Sequence, residues 1–134
     1  HAFARYSVSV SKDDPHFPGR APIDGYGQGG FRFAGMSHRG SLLIVPSGIY
    51  AWDVFSPQEI TEQSLARVFA QATEIDLLMI GSGRDPIALP ATLRKRCKEA
   101  KISVDIQPTG GAASTYNVLL DEGRRVAAAL IAVS

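Results

Sequence analysis

Cys97 is the only cysteine in the chain, which excludes an intrachain disulfide framework and points to a reducing compartment. No apolar run approaches the roughly 20 residues of a membrane-spanning helix. The longest such run, Val126 to Val133, has the length of a strand. Neither sign of charge is in excess: Lys and Arg number 14 against 13 Asp and Glu, a net +1. That is too small to draw the chain toward nucleic acid or an anionic bilayer. The N-terminal residues show no basic stretch followed by an apolar one, so no leader is expected. Histidines are confined to the first third of the chain, and His16 has no second ligand at metal spacing, so no metal site is expected. Nucleotide fingerprints are also lacking. Gly81-Ser82-Gly83 opens a G-x-G, but Pro86 stands where the third glycine belongs, and neither G-K-[ST] nor G-x-S-x-G occurs. No cofactor is expected.

What remains is organised around Leu77-Leu78-Met79-Ile80-Gly81-Ser82-Gly83-Arg84-Asp85-Pro86. Four apolar residues in succession read as a strand buried on both faces, and the two glycines and the proline end it. Upstream, residues 1–22 read as a loosely ordered arm, with a weak strand signal at Tyr6, Val8 and Val10 and turn chemistry from Lys12 to Gly19. Residues 23–134 read as one α/β domain. The glycines between Ile23 and Gly30 read as a bend feeding a sheet, with Asp24 and Arg32 as the polar groups to watch. Phe31 to Ala34 and Ser41 to Val45 read as a β-hairpin whose long tip, Gly35 to Gly40, carries a solvated His38. Ile49 to Trp52 is a further strand, with Trp52 a core plug whose indole N–H is bonded. Ser56-Pro57-Gln58-Glu59 fits a capping box, and Leu65, Val68, Phe69 and Ala72 predict one stripe of a three-turn helix.

Past the central strand, a helix is expected from Ala91 to Lys101, burying Leu93, Cys97 and Ala100 and exposing Arg94, Lys95, Arg96, Lys98 and Lys101, with only Glu99 opposing them. Its basic face has no interleaved aromatics, which argues against nucleic acid. Ile102 to Ile106 alternates as a strand, giving a parallel βαβ unit with Ile75 to Ile80. A third helix presents Ala112, Ala113, Tyr116, Leu119 and Leu120 and stops at Gly123. Asp121 and Glu122 sit at the wrong end of its dipole, with Arg124 or Arg125 to compensate. The apolar strand from Val126 closes the chain, and its alanines would let a helix pack closely.

The two Gly-rich turns, Gly81-Ser82-Gly83 and Thr109-Gly110-Gly111, each follow a parallel strand and should be neighbours. Backbone N–H groups at helix starts favour anions. With Arg84, Ser114, Thr115 and Asn117 nearby in sequence, the turns form a candidate pocket for a phosphate, a carboxylate or a peptide end. Ser82 has no sequence-evident base, so no catalytic residue is assigned.

Ile23-Asp24-Gly25-Tyr26-Gly27, Gly29-Gly30-Phe31-Arg32, Gly40-Ser41, Trp52, Gly81-Ser82-Gly83, Leu93-Arg94, Thr115-Tyr116-Asn117-Val118-Leu119-Leu120 and Glu122-Gly123-Arg124-Arg125-Val126-Ala127-Ala128-Ala129-Leu130 form a pattern. It resembles a small domain-of-unknown-function family of archaeal and bacterial proteins. The mitochondrial member of that family is the third assembly factor of respiratory complex I. The resemblance runs from about Ile23 to Val133. It implies a three-layer α/β fold with a mixed central sheet, an added β-hairpin and a last strand antiparallel to the rest. It also implies a non-catalytic role with protein partners, respiratory-chain subunits among them. The bacterial cytoplasm is the expected setting, and the mitochondrial matrix the alternative. Ser114 departs from the family pattern, which has arginine there. The hairpin tip around Met36 and the basic helix are the candidate partner surfaces. The competing reading is a small-molecule or anion site at the two Gly turns, with an enzyme among its forms.

Overall fold

The computed structural model describes residues 14–134, so the expected strand at Tyr6, Val8 and Val10 lies outside the described residues. The described elements run β1 (Ile23–Gly27), β2 (Gly30–Phe33), β3 (Met36–Arg39), β4 (Ser41–Val45), β5 (Gly48–Trp52), α1 (Ala66–Ala70), β6 (Leu77–Gly81), α2 (Ala91–Glu99), β7 (Ser103–Gln107), α3 (Thr109–Asp121) and β8 (Val126–Leu130). Strands β1, β2 and β3 form a small antiparallel sheet. The other five form a mixed sheet in the order β5-β4-β8-β6-β7.

β6 pairs in parallel with β7 on one side and β8 on the other, so its apolar run is buried as the sequence leads one to expect. α2 carries the chain from β6 to β7, and α3 carries it back past β6 to β8. These two crossovers travel in opposite directions, and right-handed crossovers in opposite directions put their helices on opposite faces of a sheet. The two cores reflect this. Leu78, Ile80, Ala127 and Ala129 face the side that holds Leu65, Val68 and Leu93. Met79, Val126, Ala128 and Leu130 face α3 through Ala112, Ala113 and Tyr116, and also the small sheet through Ile23, Phe31 and Phe33. Ala128 is thus the small residue under α3.

Four expectations are corrected. The last strand is not antiparallel to the rest: β8 is parallel to β6 and antiparallel only to β4. The 13-residue α3 returns the chain to the starting end of the sheet before β8 begins, which sets that direction. The hairpin is not formed by Phe31–Ala34 and Ser41–Val45. Its supposed tip is itself a strand, β3, which pairs with β2 around a tight turn at Ala34 and Gly35, while β4 belongs to the other sheet. The three-turn helix reduces to α1, with single 3₁₀ turns at Gln63–Leu65 and Ala72–Glu74. The Ser64 carbonyl, which a longer helix would use, instead accepts the buried Trp52 indole N–H at 2.7 Å. At the other end the Gln71 side chain is held by the Ser47 backbone N–H and hydroxyl. Finally, Arg125 does not compensate Asp121 or Glu122. It bonds Asp76 and the Thr73 carbonyl, and its guanidinium holds the Asp76 carboxyl below its ordinary range.

Of the expected arm, residues 14–22 are described. Phe17 makes a β-bridge to Ile49 at the outer edge of β5, and Ala21 is buried.

Candidate functional site

Adjacent parallel strands whose following helices leave to opposite faces leave a crevice at their C-terminal ends, where α/β sheets usually bind ligands. Here that point lies between β6 and β7, and the two Gly-rich turns meet at it. The turns are tied to each other. The Ser82 N–H donates to the Gln107 carbonyl (2.8 Å), and the Thr109 N–H to the Gly83 carbonyl (2.9 Å). The Gly83 N–H donates to Thr109 Oγ1 (3.0 Å), and that hydroxyl donates to the Ile131 carbonyl (2.7 Å). The Ser82 hydroxyl donates to the Asp85 carbonyl at 2.6 Å, with the Gln107 carbonyl at 3.2 Å. Ser82 is 2% exposed and Thr109 is fully buried. A Cβ on Gly81 would sit 3.0 Å from Thr109 Oγ1 and from Leu130, so glycine there lets α3 start against the strand end.

The sequence-named residues therefore divide. Gly81, Ser82, Gly83 and Thr109 come together and seal the crevice with their own hydrogen bonds. Gly110 abuts the Tyr26 phenol, and Gly111 the Gln107 side chain. Ser114 is exposed and Thr115 half-buried on α3. Asn117 is a clamp on β1: its side-chain oxygen accepts the Ile23 N–H and its amide donates to the Ile23 carbonyl, both at 2.8 Å. Arg84 bonds the Ser134 hydroxyl and carbonyl.

A hollow of about 320 Å³ does open beside the first turn, lined by Ser82 to Asp85. Its other walls are Phe55-Ser56-Pro57 and the chain after β8, Ile131 to Ser134, not the second turn. Sequence reasoning missed these walls. The capping box gave only a local signal: the Glu59 carboxylate reaches back to the N–H groups of Phe55 and Ser56 and fixes that wall.

The remaining titratable groups are structural in setting. Burial pushes the Cys97 thiol up against the opposing pull of Arg96 and Arg94, which keeps it protonated and unreactive. Burial likewise raises the Tyr116 phenol, which donates to the Ala21 carbonyl at 2.8 Å. His38 is half-buried, its Nε2 at 3.1 Å from the Ser41 carbonyl and its ring 5.1 Å from that of His16; burial lowers its pKa. Among the described residues no group of three or more His, Cys, Asp or Glu could hold a metal ion. No helix among them is long and apolar enough to cross a membrane.

Residues 23–131 match the model of a family described as "Protein of unknown function (DUF498/DUF598)". An uncharacterized protein of Rhodobacter capsulatus is 43% identical over 118 residues, 88% of this chain and 90% of that protein. The NADH dehydrogenase [ubiquinone] 1 alpha subcomplex assembly factor 3 of Mus musculus is 32% identical over 129 residues, 96% of this chain and 69% of that protein. The crystal structure of a Bartonella henselae protein, described as an outer membrane protein, superposes with a TM-score of 0.86 at 52% identity. It covers 89% of this chain and 100% of that one.

Proposed function

The chain belongs to the DUF498/DUF598 family, whose mitochondrial member is complex I assembly factor 3, and on that premise we propose that it is a non-catalytic protein-interaction factor acting in assembly. The observation that carries this reading is the likeness to the mouse factor, which extends over 96% of the chain rather than over a shared motif. The crevice supports it. A serine nucleophile needs its proton withdrawn by a base, whereas the Ser82 hydroxyl donates to a backbone carbonyl. Gly83 N–H, an amide an oxyanion would need, is occupied by Thr109. The partners under this reading are proteins, with respiratory-chain subunits first among them.

Deleting the gene in its source organism and separating detergent-solubilised membranes on native gels tests this. Loss of assembled complex I with accumulation of subassemblies, restored by the intact gene, is the expected result. Unchanged complex I would remove the assembly role.

The hollow beside Ser82 to Asp85 favours a second reading, a small anionic ligand held near Arg84. A ligand at a hundred times its Kd stabilises a fold by about 2.7 kcal/mol. Thermal denaturation with phosphates, nucleotides and carboxylates therefore tests it, and no shift from any of them rejects it.

A further inference from the structure

We propose that the outer face of the small sheet binds an extended acidic peptide from a protein partner, with carboxylates on alternate residues seated on Arg32 and Arg39. This deepens the interaction reading by naming the surface and the chemistry of the partner.

The register of the sheet decides which residues share that face. Phe31 and Phe33 point into the core, so their neighbours on β2, Gly30 and Arg32, point out. Cross-strand partners share a face. Gly25 and Ser37 flank Arg32, and Gly27 and Arg39 flank Gly30. The outer face is therefore two arginines on a floor of three glycines and a serine. With no side chains to fill it, the floor forms an open basin of about 570 Å³. Close backbone approach explains Gly30, whose Cβ would fall 2.1 Å from the His38 carbonyl oxygen. It does not explain Gly25, where a Cβ would meet only Arg32 at 3.9 Å.

Both arginines are exposed, and neither is paired with another described residue. The only carboxylate on the three strands is Asp24, at the bulge in β1 and outside the cross-strand register. Arg32 and Arg39 are diagonal neighbours, and such positions lie about 7–8 Å apart. Alternate residues of an extended strand lie about 6.7 Å apart and point the same way. A segment with acidic residues at every second position thus presents its carboxylates at the spacing of the guanidinium groups, each able to take one by a forked, charge-assisted pair. Among the described residues β2 is the only neighbour of β3 in the sheet, which leaves the other edge of β3 open there. Its outward backbone groups suit an added strand better than a compact anion.

The test uses fluorescence anisotropy with a labelled Thr-Asp-Thr-Asp-Thr-Asp-Thr peptide at low ionic strength. Expected is saturable, salt-sensitive binding that weakens at least about tenfold, or 1.4 kcal/mol, in the R32S/R39S variant and is unchanged in R94S/K98S on the basic helix. Amide shifts on titration should map to β2 and β3. Both arginines are exposed, so the variant folds, and its far-ultraviolet circular dichroism checks this. The proposal is overturned by no binding, equal binding by R32S/R39S, loss of binding in R94S/K98S instead, or equal binding of a peptide with its three aspartates contiguous. The last would mean that charge alone is read. Tight competition by inorganic phosphate also overturns it, in favour of a compact anion. Peptide binding without a complex I defect on deletion would remove the assembly role and leave the site. A complex I defect without peptide binding would do the reverse.

Discussion

Replacing Thr109 by valine separates a sealed crevice from an open one. Valine has nearly the same shape as threonine, so the packing around Gly81 and Leu130 is preserved while the hydroxyl disappears. Two buried groups then lose their partner: the Gly83 N–H, which donates to Thr109 Oγ1 at 3.0 Å, and the Ile131 carbonyl, which accepts from it at 2.7 Å. Leaving a buried donor or acceptor unpaired costs about 1–3 kcal/mol each. The added methyl group returns about 0.8 kcal/mol of apolar burial. The net is a destabilisation of about 1–5 kcal/mol, centred near 3, for a side chain with no exposed surface. Thr109→Ser is the control. It keeps both hydrogen bonds and loses one buried methyl group, about 1 kcal/mol. Urea denaturation of the three proteins, with equal slopes to guard the two-state treatment, should rank wild type above serine above valine. Valine at or above wild type, or serine below valine, would refute the account of the turns as joined by that hydroxyl. Were the crevice instead an open anion site, the Gly83 N–H would be solvated and the valine variant nearly neutral.

Asn117→Ala removes both bonds to Ile23 and should cost about 1–3 kcal/mol, with hydrogen exchange quickening at β1 before the rest of the fold. Gly30→Ala drives a Cβ into the His38 carbonyl and should cost upwards of about 1–3 kcal/mol, whereas Gly25→Ala, facing open space, should be close to neutral by denaturation. Ala34 has a left-handed φ of 50° ahead of Gly35 at 75°, so Ala34→Asn, suited to that turn, should stabilise the protein by about 0.5–1 kcal/mol. His38, whose pKa is lowered chiefly by burial, binds fewer protons folded than unfolded. Stability should therefore rise with pH through the window below 6.5, be complete above it and be lost as pH falls through the folded value. Melting temperature against pH should be flatter in His38→Gln, and an identical profile would reject this origin.

The large sheet was legible because β4, β6 and β8 are apolar runs, where burial on both faces writes itself into composition, and because the edge strand β7 alternates. Trp52 and the Gly123 stop were legible for the same local reasons: a lone indole needs a partner, and a left-handed helix end needs glycine. The small sheet was not. β3 reads Met-Ser-His-Arg and buries almost nothing, so no periodicity marks it. Its turns hide as well. Gln28-Gly29 and Ala34-Gly35 both take positive φ at each position, the geometry usually announced by Asn-Gly or Asp-Gly. With glutamine and alanine at the first places, the second hairpin looked like a loose tip. The direction of β8 was missed because a crossover is a long-range property: it is set by α3 carrying the chain back to the starting end of the sheet, where β8 begins beside β6. For the crevice, sequence could name the two turns but not that Thr109 would spend its hydroxyl joining them.

The division of labour between the two sheets follows from where backbone groups find partners. In the large sheet, α1 and α2 cover one face and α3 and the small sheet cover the other, while the β6–β7 crevice is closed by its own amides. An antiparallel sheet tolerates water on one face. The small sheet has that freedom because only its Ile23, Phe31 and Phe33 side is needed for the core. Of the bare glycines opposite, Gly30 serves the close approach to β3 and Gly27 a positive φ of 127°, while Gly25 has neither reason. Two exposed arginines on that floor repel each other with no carboxylate in register to relieve them. Such a face stabilises the fold less than glutamate or threonine in the same places would. A partner that supplies the missing negative charge accounts for arginines there, and the proposed peptide site rests on that imbalance.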